Sequence, residues 1–398
     1  MADLRYRALQ REEYPAFQRF NDYAFHVESG PRSYETPEEV PDRLGERWGL
    51  FDDDRLVSIS AHYDFEAQLR GEWRALGGLA SVATPPEFRR NGYVRRLCLG
   101  FLRECRKRGQ HVAALWPFRR SFYRRLGWGT CSRYGVASTS PEALADAAVD
   151  GGTLHRVDPD DWAMLDDLYE RTSEDVQLRL RRDETWWRER VFEGLDDQRY
   201  VARLDRDGET AGSLAYAVSK DGDERTLRVQ DLLAADDAAY GGLLRYLAVH
   251  ESQVQQVELY DRADRTTDLL DRVADTDDLS VEVAAGAMAR LVDVPAGLSA
   301  LAATDRDATL TLSVTDSLAD WNDGAFELRV ADGEASCEAV EAGDSDVTAD
   351  VATLSQVAVG YHSPDEAARL GEFEADPEAR ETLHALFPPA TTGLRDFF

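Results

Sequence analysis

The sequence predicts a mixed α/β and α+β chain of three tightly packed domains. Three observations carry this. A strand–helix–strand run occupies the first third, the same order returns after residue 150, and the last stretch alternates like a hairpin-rich sheet before a helical end. At 398 residues the chain exceeds one ordinary core, so two or three domains are expected. The expected boundaries are 1–150, 151–287 and 288–398. A composition shift at "SPEALADAAVDGG" marks the first, and the start of "GAMARLVDVPAGLSAL" marks the second.

In the first region "PAFQRFNDYAFHV" reads as a helix, "LVSISAHYDFEAQL" alternates like a strand, and "WRALGGLASVAT" is a strand of small residues with glycines. In "GYVRRLCLGFLRECRKRGQ", Val94, Leu97, Cys98, Phe101 and Cys105 recur at helical spacing and form one apolar stripe. "HVAALWP" is then a short buried strand. Strand–helix–strand implies a parallel βαβ unit. The second region repeats the order. A helix bears Trp186 and Trp187; strands "YVARLDRDGETAGSLAYAVS" and "RTLRVQDLLAA" lead to helix "AYGGLLRYLAVHESQ" and strand "QVELYD". In the third, "ATLTLSVTD" and "GAFELRVADGEASCEAV" alternate as strands before helical segments.

The charge balance narrows the function classes. Seventy-six acids against 46 bases give a formal net charge of -30, and Lys107 and Lys220 are the only lysines. Folded, acidic, arginine-rich proteins suit molar salt, where a Debye length of about 3 Å screens self-repulsion. A GC-rich genome would also favour Arg over Lys; the density of Asp favours the halophile. Nonspecific nucleic-acid binding is not expected at this charge. No apolar run approaches the roughly 20 residues of a membrane span, and "MADLRYRALQREEYPAFQRF" has no signal-peptide core, so a soluble cytoplasmic protein is expected. Cys98, Cys105, Cys131 and Cys337 lack metal or disulfide spacing and read as buried thiols. The seven histidines form no ligand motif, and no metal is expected.

Against this background, "ATPPEFRRNGYVRRL" concentrates positive charge. From Phe88 to Arg125 the chain has 12 basic residues and one acid, Glu104. A solvated helix face is the ordinary source of a charge run. An acidic surface, however, gives no reason to gather arginines beside a glycine turn. A strand end, a turn and a helix start make an anion site, with first-turn N–H groups and the positive end of the dipole facing out. Gly92 lets backbone approach a phosphate closely. A polyphosphate ligand explains the run.

These residues carry a resemblance. "VATPPEFRRNGYVRRL" is similar to the acetyl-CoA motif of the GCN5-related N-acetyltransferases (GNAT), Gln/Arg-x-x-Gly-x-Gly/Ala. Arg89 and Gly92 match it, and Val94 departs from its third position. "FRRSFYRRLGWG" resembles the Phe/Ile-Tyr-x-x-Phe/Leu-Gly-Trp/Tyr-Gly segment of the Eis-type (enhanced intracellular survival) branch, which commonly carries a bulky residue at that position. The resemblance implies two tandem GNAT-like domains, the second degenerate, and a sterol-carrier-protein-2-like third domain. It implies acetyl-CoA as cosubstrate. Val82, Ala83 and Thr84 would bond the pantetheine arm. Arg90, Asn91, Gly92, Tyr93, Val94 and Arg95 would hold the pyrophosphate, and Phe118 and Arg119 would line the cofactor. Tyr123 matches the general acid, and the carboxylate of Phe398 the general base. The third domain would deliver Phe398. A homo-oligomer, trimer or hexamer, is implied as well.

The residues themselves leave competing readings. Tyr123 with Phe122 and Leu126 also fits a core aromatic face, and a terminus is by default frayed. Yet "LFPPATTGLRDFF" ends on two aromatics, a pattern suited to packing inward. The second region's counterpart of the cofactor loop, "AADDAAYGGLLRYL", places Asp236 and Asp237 where arginines are expected, which repels pyrophosphate. Gly241 and Gly242 alone are a weak signal. Asp22, Glu28 and Asp64 are candidates for an acidic amine pocket, with generic surface acidity as the competing source. The expected activity is direct acetyl transfer to a primary amine, since no Cys lies in an acyl-enzyme motif. A lipid or acyl-CoA carrier and a non-catalytic acyl-CoA sensor are the alternatives. The intact loop, Tyr123 and the aromatic terminus favour the enzyme.

Overall fold

The structure is a computed structural model and describes residues 4–195 and 198–398. It packs as two compact units: Met1–Cys131 with Ala287–Phe398, and Ser132–Gly286. Before the first crossing come β1 (Leu4–Ala8), α1 (Tyr14–Phe25), β2 (Glu46–Asp52), β3 (Arg55–Leu69), β4 (Glu72–Ala83), α2 (Tyr93–Lys107), β5 (Val112–Leu115), α3 (Arg120–Arg124) and β6 (Gly129–Thr130). The second unit holds β7 (Arg133–Thr139), β8 (Thr153–Arg156), α4 (Trp162–Thr172), α5 (Glu184–Trp186), β9 (Tyr200–Arg206), β10 (Glu209–Asp221), β11 (Glu224–Ala234), α6 (Asp237–Ala248), β12 (Gln256–Arg262), α7 (Ala263–Thr267), α8 (Leu269–Arg272) and β13 (Ser280–Ala285). The chain then returns with β14 (Met288–Leu291), α9 (Val294–Leu301), β15 (Ala308–Thr315), β16 (Gly324–Ala331), β17 (Glu334–Val340), β18 (Val347–Asp350), α10 (Val351–Ala358), α11 (Pro364–Leu370), β19 (Phe373–Ala375) and α12 (Pro377–Leu386).

The first sheet has the order β1-β2-β3-β4-β5-β14-β6, and the second β8-β9-β10-β11-β12-β7-β13. The two match position by position. In each, a long antiparallel hairpin leads to one parallel pair, β4 with β5 and β11 with β12. The repeat seen in the sequence is therefore a repeat of topology. Two strands are exchanged between its halves. β7, inside the expected first domain, extends the second sheet beside β12, and β14, at the start of the expected third, fills the first sheet beside β5. Strand alternation reports which faces are buried; it does not name the sheet a strand joins. The third sheet, β17-β16-β15-β18-β19, belongs to the first unit.

Helix α2 realises the predicted stripe. Leu97, Cys98, Phe101, Leu102 and Cys105 are buried, while Arg95, Arg96, Arg103, Arg106 and Lys107 are exposed. Every cysteine is a buried free thiol, and burial pushes Cys98 up to about 12. Strand β3 is buried on both faces along Val57–Tyr63. Its α2 side carries His62, stacked on Trp48 at 4.6 Å and edge-on to Phe101 at 4.6 Å. Tyr6 hydroxyl shares hydrogen bonds with Ser60 Oγ at 2.8 Å and with His62 Nε2. Burial, then the Arg108 charge, lowers His62 to about 3, so the imidazole is neutral. The tryptophan helix of the second region is brief. Asp183 caps α5 through Trp186 N–H at 2.7 Å, and a π-helical turn, Trp187–Phe192, follows. Among the described residues no helix is long and apolar enough to cross a membrane. Among the same residues, no group of three or more His, Cys, Asp or Glu is placed to hold a metal ion.

Candidate active site

The site begins where two parallel strands part. β4 and β5 pair over Leu76–Leu79 and Val112–Leu115. Beyond Leu79, β4 runs on through Ala83, and among the described residues no strand pairs with that edge. On its other side the register against β3 shifts between Ala80 and Ala83, where Ser81 takes φ +49°. A positive φ is uncommon for a non-glycine residue and marks a locally constrained backbone. Ser58 fixes the strand end: its hydroxyl donates to Ala83 O at 3.1 Å and meets Thr84 Oγ1 at 2.8 Å. Val82, Ala83 and Thr84 thus lie on an opened strand edge with its end held. Backbone amides on such an edge can bond a peptide-like arm.

The turn that follows opens α2. Arg90 and Gly92 take φ +67° and +76°, and a Cβ on Gly92 would meet nothing within 4 Å. No side chain caps α2, and its first returning bond is Arg96 N–H to Gly92 O at 3.2 Å. The N–H groups of Tyr93, Val94 and Arg95 therefore lack intrahelical acceptors and sit at the positive end of the dipole. The turn is braced from behind. Arg89 Nε donates to Thr84 O at 2.9 Å, Asn91 Nδ2 to Phe88 O at 3.1 Å, and Tyr93 hydroxyl to Asp52 at 2.5 Å.

The arginines divide by partner. Arg108 is committed to Glu46, Asp64 and Glu104, and Arg106 to Asp293. Arg95 donates to Ser317 O. The side chains of Arg90, Arg96, Arg119 and Arg120 take no hydrogen bond or ion pair among the described residues. Four unpartnered guanidinium groups, an uncapped helix start and open space at Gly92 fit a polyphosphate. Phe118 is exposed, with its ring 5.7 Å from Tyr123.

Tyr123 lies on α3, in the packed cluster that contains Leu79 and Leu115, the last paired residues of β4 and β5. Its ring is buried, edge-on to Phe122 at 5.2 Å. Its hydroxyl takes no hydrogen bond among the described residues. Burial, with Cys98 alongside, raises its pKa well above the usual phenol range, so it stays protonated. The ring is a core aromatic packed beside the parting strands.

The C-terminal segment reaches the same strands. Trp116, directly after β5, donates from Nε1 to Asp396 O at 2.9 Å and lies 5.4 Å from the Phe397 ring. The Phe398 ring is 8% exposed, 4.8 Å from Phe65 and 5.5 Å from Tyr63. Tyr63 pairs with Gly78 of β4, which pairs with Ala114 of β5. A side chain on Gly78 would meet the Phe65 ring at 2.6 Å, so this aromatic floor requires glycine there.

The acidic candidates separate. Asp22 is buried and takes hydrogen bonds from Gln18 Nε2 and Tyr34 hydroxyl, each at 2.7 Å. Glu28 is exposed in a short turn. Asp64 belongs elsewhere. It alternates with Tyr63 and Phe65 and is held by Arg108 at 2.8 Å and Gln110 at 2.6 Å, so its charge is neutralised away from Phe398. Sequence reasoning missed Ser58, and it missed Arg290, an arginine inside the apolar run "AMARLVDV" that is completely buried.

The second unit closes the corresponding features. Asp236 caps α6 by accepting from Ala239 N–H at 2.8 Å and pairs with Arg206, while Asp237 pairs with Arg272 at 2.7 Å. Gly241 and Gly242 serve packing: added side chains would meet Val149 at 2.6 Å and Leu204 at 2.8 Å.

The chain is similar to known proteins along its whole length. Models of the GNAT acetyltransferase domain match residues 5–131 and 178–291, and a sterol carrier protein domain model matches 294–394. An uncharacterized N-acetyltransferase of Streptomyces griseus is 27% identical over 91% of this chain and 92% of its own. One from Streptomyces avermitilis is 28% identical over 84% of each. Among solved structures, a GCN5-related N-acetyltransferase from Anabaena variabilis superposes with TM-score 0.83 at 19% identity, over 99% of this chain and 100% of that one. Eis1 from Mycobacterium abscessus gives TM-score 0.76 at 24% identity, over 99% and 100%. The chain carries two GNAT-type domains followed by a sterol-carrier-type domain. It is an acetyltransferase with an Eis-like fold.

Proposed function

We propose that this acetyltransferase moves an acetyl group directly from acetyl-CoA to a primary amine, with Tyr123 as general acid and the terminal carboxylate of Phe398 as general base. Acetyl-CoA supplies the activated acyl group as a thioester. The N-terminus of α2, with Arg90 to Arg95, takes the pyrophosphate, and Val82, Ala83 and Thr84 take the pantetheine arm and polarise the carbonyl. Phe118 and Arg119 line its outer part. The carboxylate accepts the ammonium proton, directly or through water. The amine nitrogen then forms the bond to the acyl carbon, the carbon–sulfur bond breaks, the Tyr123 hydroxyl protonates the departing thiolate, and the second proton that the nitrogen sheds as the amide forms returns through solvent to the phenolate. A phenol kept neutral by burial holds its proton for that step.

The observation that carries this reading is one constellation. The uncapped α2 start follows β4, the buried Tyr123 packs on the last paired residues of β4 and β5, and the unpartnered arginines lie in the segments that follow those two strands. The inward-packed Phe398 supports the base. We infer the domain division 1–150, 151–287 and 288–398, with β7 and β14 as exchanged strands. We also infer a cytoplasmic, salt-adapted homo-oligomer, a trimer or hexamer, whose acceptor is a small amine, a polyamine or a protein amine.

The test is acetyl-CoA-dependent thiol release over an amine panel in molar salt, comparing the chain with one extended by a few residues past Phe398. The extended chain should keep acetyl-CoA affinity and lose roughly 100-fold or more in kcat. Normal turnover by the extended chain would contradict the terminal base. Absence of acetyl-CoA binding in the unmodified protein would end the whole reading.

A further inference from the structure

Tyr123 sits on a helix that cannot hold itself. α3 has five residues, and isolated helices shorter than roughly 12 residues are marginal in water. The Tyr123 carbonyl accepts from Leu126 N–H at 2.9 Å and Trp128 N–H at 3.1 Å, which closes a turn and leaves its orientation open. The three residues after Tyr123 are each gripped from the chain's last third. Arg124 donates to the Asp350 carboxylate, and to Thr353 Oγ1 at 3.1 Å. Arg125 O accepts from Ser317 Oγ at 3.2 Å. Leu126 O accepts from Arg290, whose other terminal nitrogen donates to Asp316.

The anchors are themselves fixed. Asp350 caps α10 through Thr353 N–H at 2.7 Å. Asp316 accepts from Leu318 N–H at 2.9 Å, Ala319 N–H at 3.1 Å and Asn322 Nδ2 at 3.2 Å. Gly127 takes φ +85°, and a Cβ there would come within 2.1 Å of Arg290 Nη1, so the turn closes directly onto the guanidinium. A buried ion pair such as Arg290–Asp316 is weak as a stabiliser, because desolvation offsets its attraction. A planar guanidinium bridging one carbonyl and one carboxylate does fix a geometry.

We propose that Arg124 and Arg290 are positioning residues for Tyr123, and that the sterol-carrier-type domain works as the clamp that aims the acid. The inference rests on Tyr123 acting as proton donor. It gives the third domain a task in catalysis that needs no lipid.

The experiment is a double-mutant cycle read as kcat, KM for acetyl-CoA and thermal stability. Arg124 is partly exposed, so Arg124→Gln should fold, whereas Arg290→Lys keeps a buried cation as the second variant. Each single variant should lower kcat about 10-fold, the scale of a modest misplacement, with KM for acetyl-CoA within about 2-fold. Arg124→Lys should recover much of the loss. In a Tyr123→Phe background neither change should lower kcat further. If Tyr123→Phe loses turnover but Arg124→Gln and Arg290→Lys keep theirs, or cost the same factor in both backgrounds, the clamp is wrong and the acid stands. If Tyr123→Phe turns over normally, the acid assignment fails and the clamp with it.

Discussion

Helix α2 begins at Gly92 with no side chain over its first turn, whereas α6 begins at Asp236, whose carboxylate occupies the N–H group of Ala239. Both helices follow the strand that starts a parallel pair. After that pair, β4 continues through small residues, Ala80 to Ala83. β11, which like β4 carries a bulge beyond its parallel pairing, continues to Asp231, which is buried against Arg182 at 2.7 Å. One unit leaves its helix start uncapped; the other caps it with its own carboxylate. A helix that satisfies its own first turn has little left to offer a phosphate.

This comparison can be broken by moving the cap. Gly92→Asp would place a carboxylate at the α2 start, where it competes for the first-turn N–H groups and repels phosphate. Losing those terms, about 2 to 3 kcal/mol together, should weaken acetyl-CoA binding about 100-fold in a calorimetric titration. Affinity within a few-fold of the unmodified chain would place the donor elsewhere.

A second test probes the first unit by acid. His62 has no proton in the folded state down to about pH 3, while the unfolded imidazole takes one below about 6.5. The unfolded state therefore binds more protons across that window, and stability rises with pH there. This residue should contribute about 1.4 kcal/mol per pH unit, lost as pH falls from 6.5 towards 3. His62→Gln should flatten the stability–pH slope by that amount in denaturant titrations. An unchanged slope would mean that the buried imidazole carries a proton.

The smallest effect lies at the other helix. Asp236→Ala removes a cap and the partner of Arg206, and should cost about 1 kcal/mol of stability. Acetyl-CoA affinity should not change. A gain or loss of binding would show that α6 takes part in holding the donor.

How far the sequence spoke differs between the two ends. The α2 loop was legible because arginines and a glycine turn are local signals, and the motif lies within a few residues of its own helix. The α2 stripe was legible for the same reason. Asp236 and Asp237 announced the closed end of α6, although the packing role of Gly241 and Gly242 needed Val149 and Leu204 in place. The exchange of β7 and β14 was not legible, because strand alternation is blind to the partner sheet. Nor was the bond from Arg290 to Leu126 O, 164 positions away in sequence. An arginine in the apolar run "AMARLVDV" was the one local hint that a buried acceptor waited for it. The partners of Asp64, Arg108 and Gln110, were not legible either, because a carboxylate in an acidic chain looks alike on either face of a strand.

The central claim is that one unit binds the donor and the other does not. Titration of acetyl-CoA into the unmodified chain, in molar salt, tests it most directly. The account predicts one site per chain, weakened about 100-fold by Gly92→Asp and untouched by Asp236→Ala. Two sites per chain, or affinity that stays within a few-fold in Gly92→Asp and falls in Asp236→Ala, would contradict it.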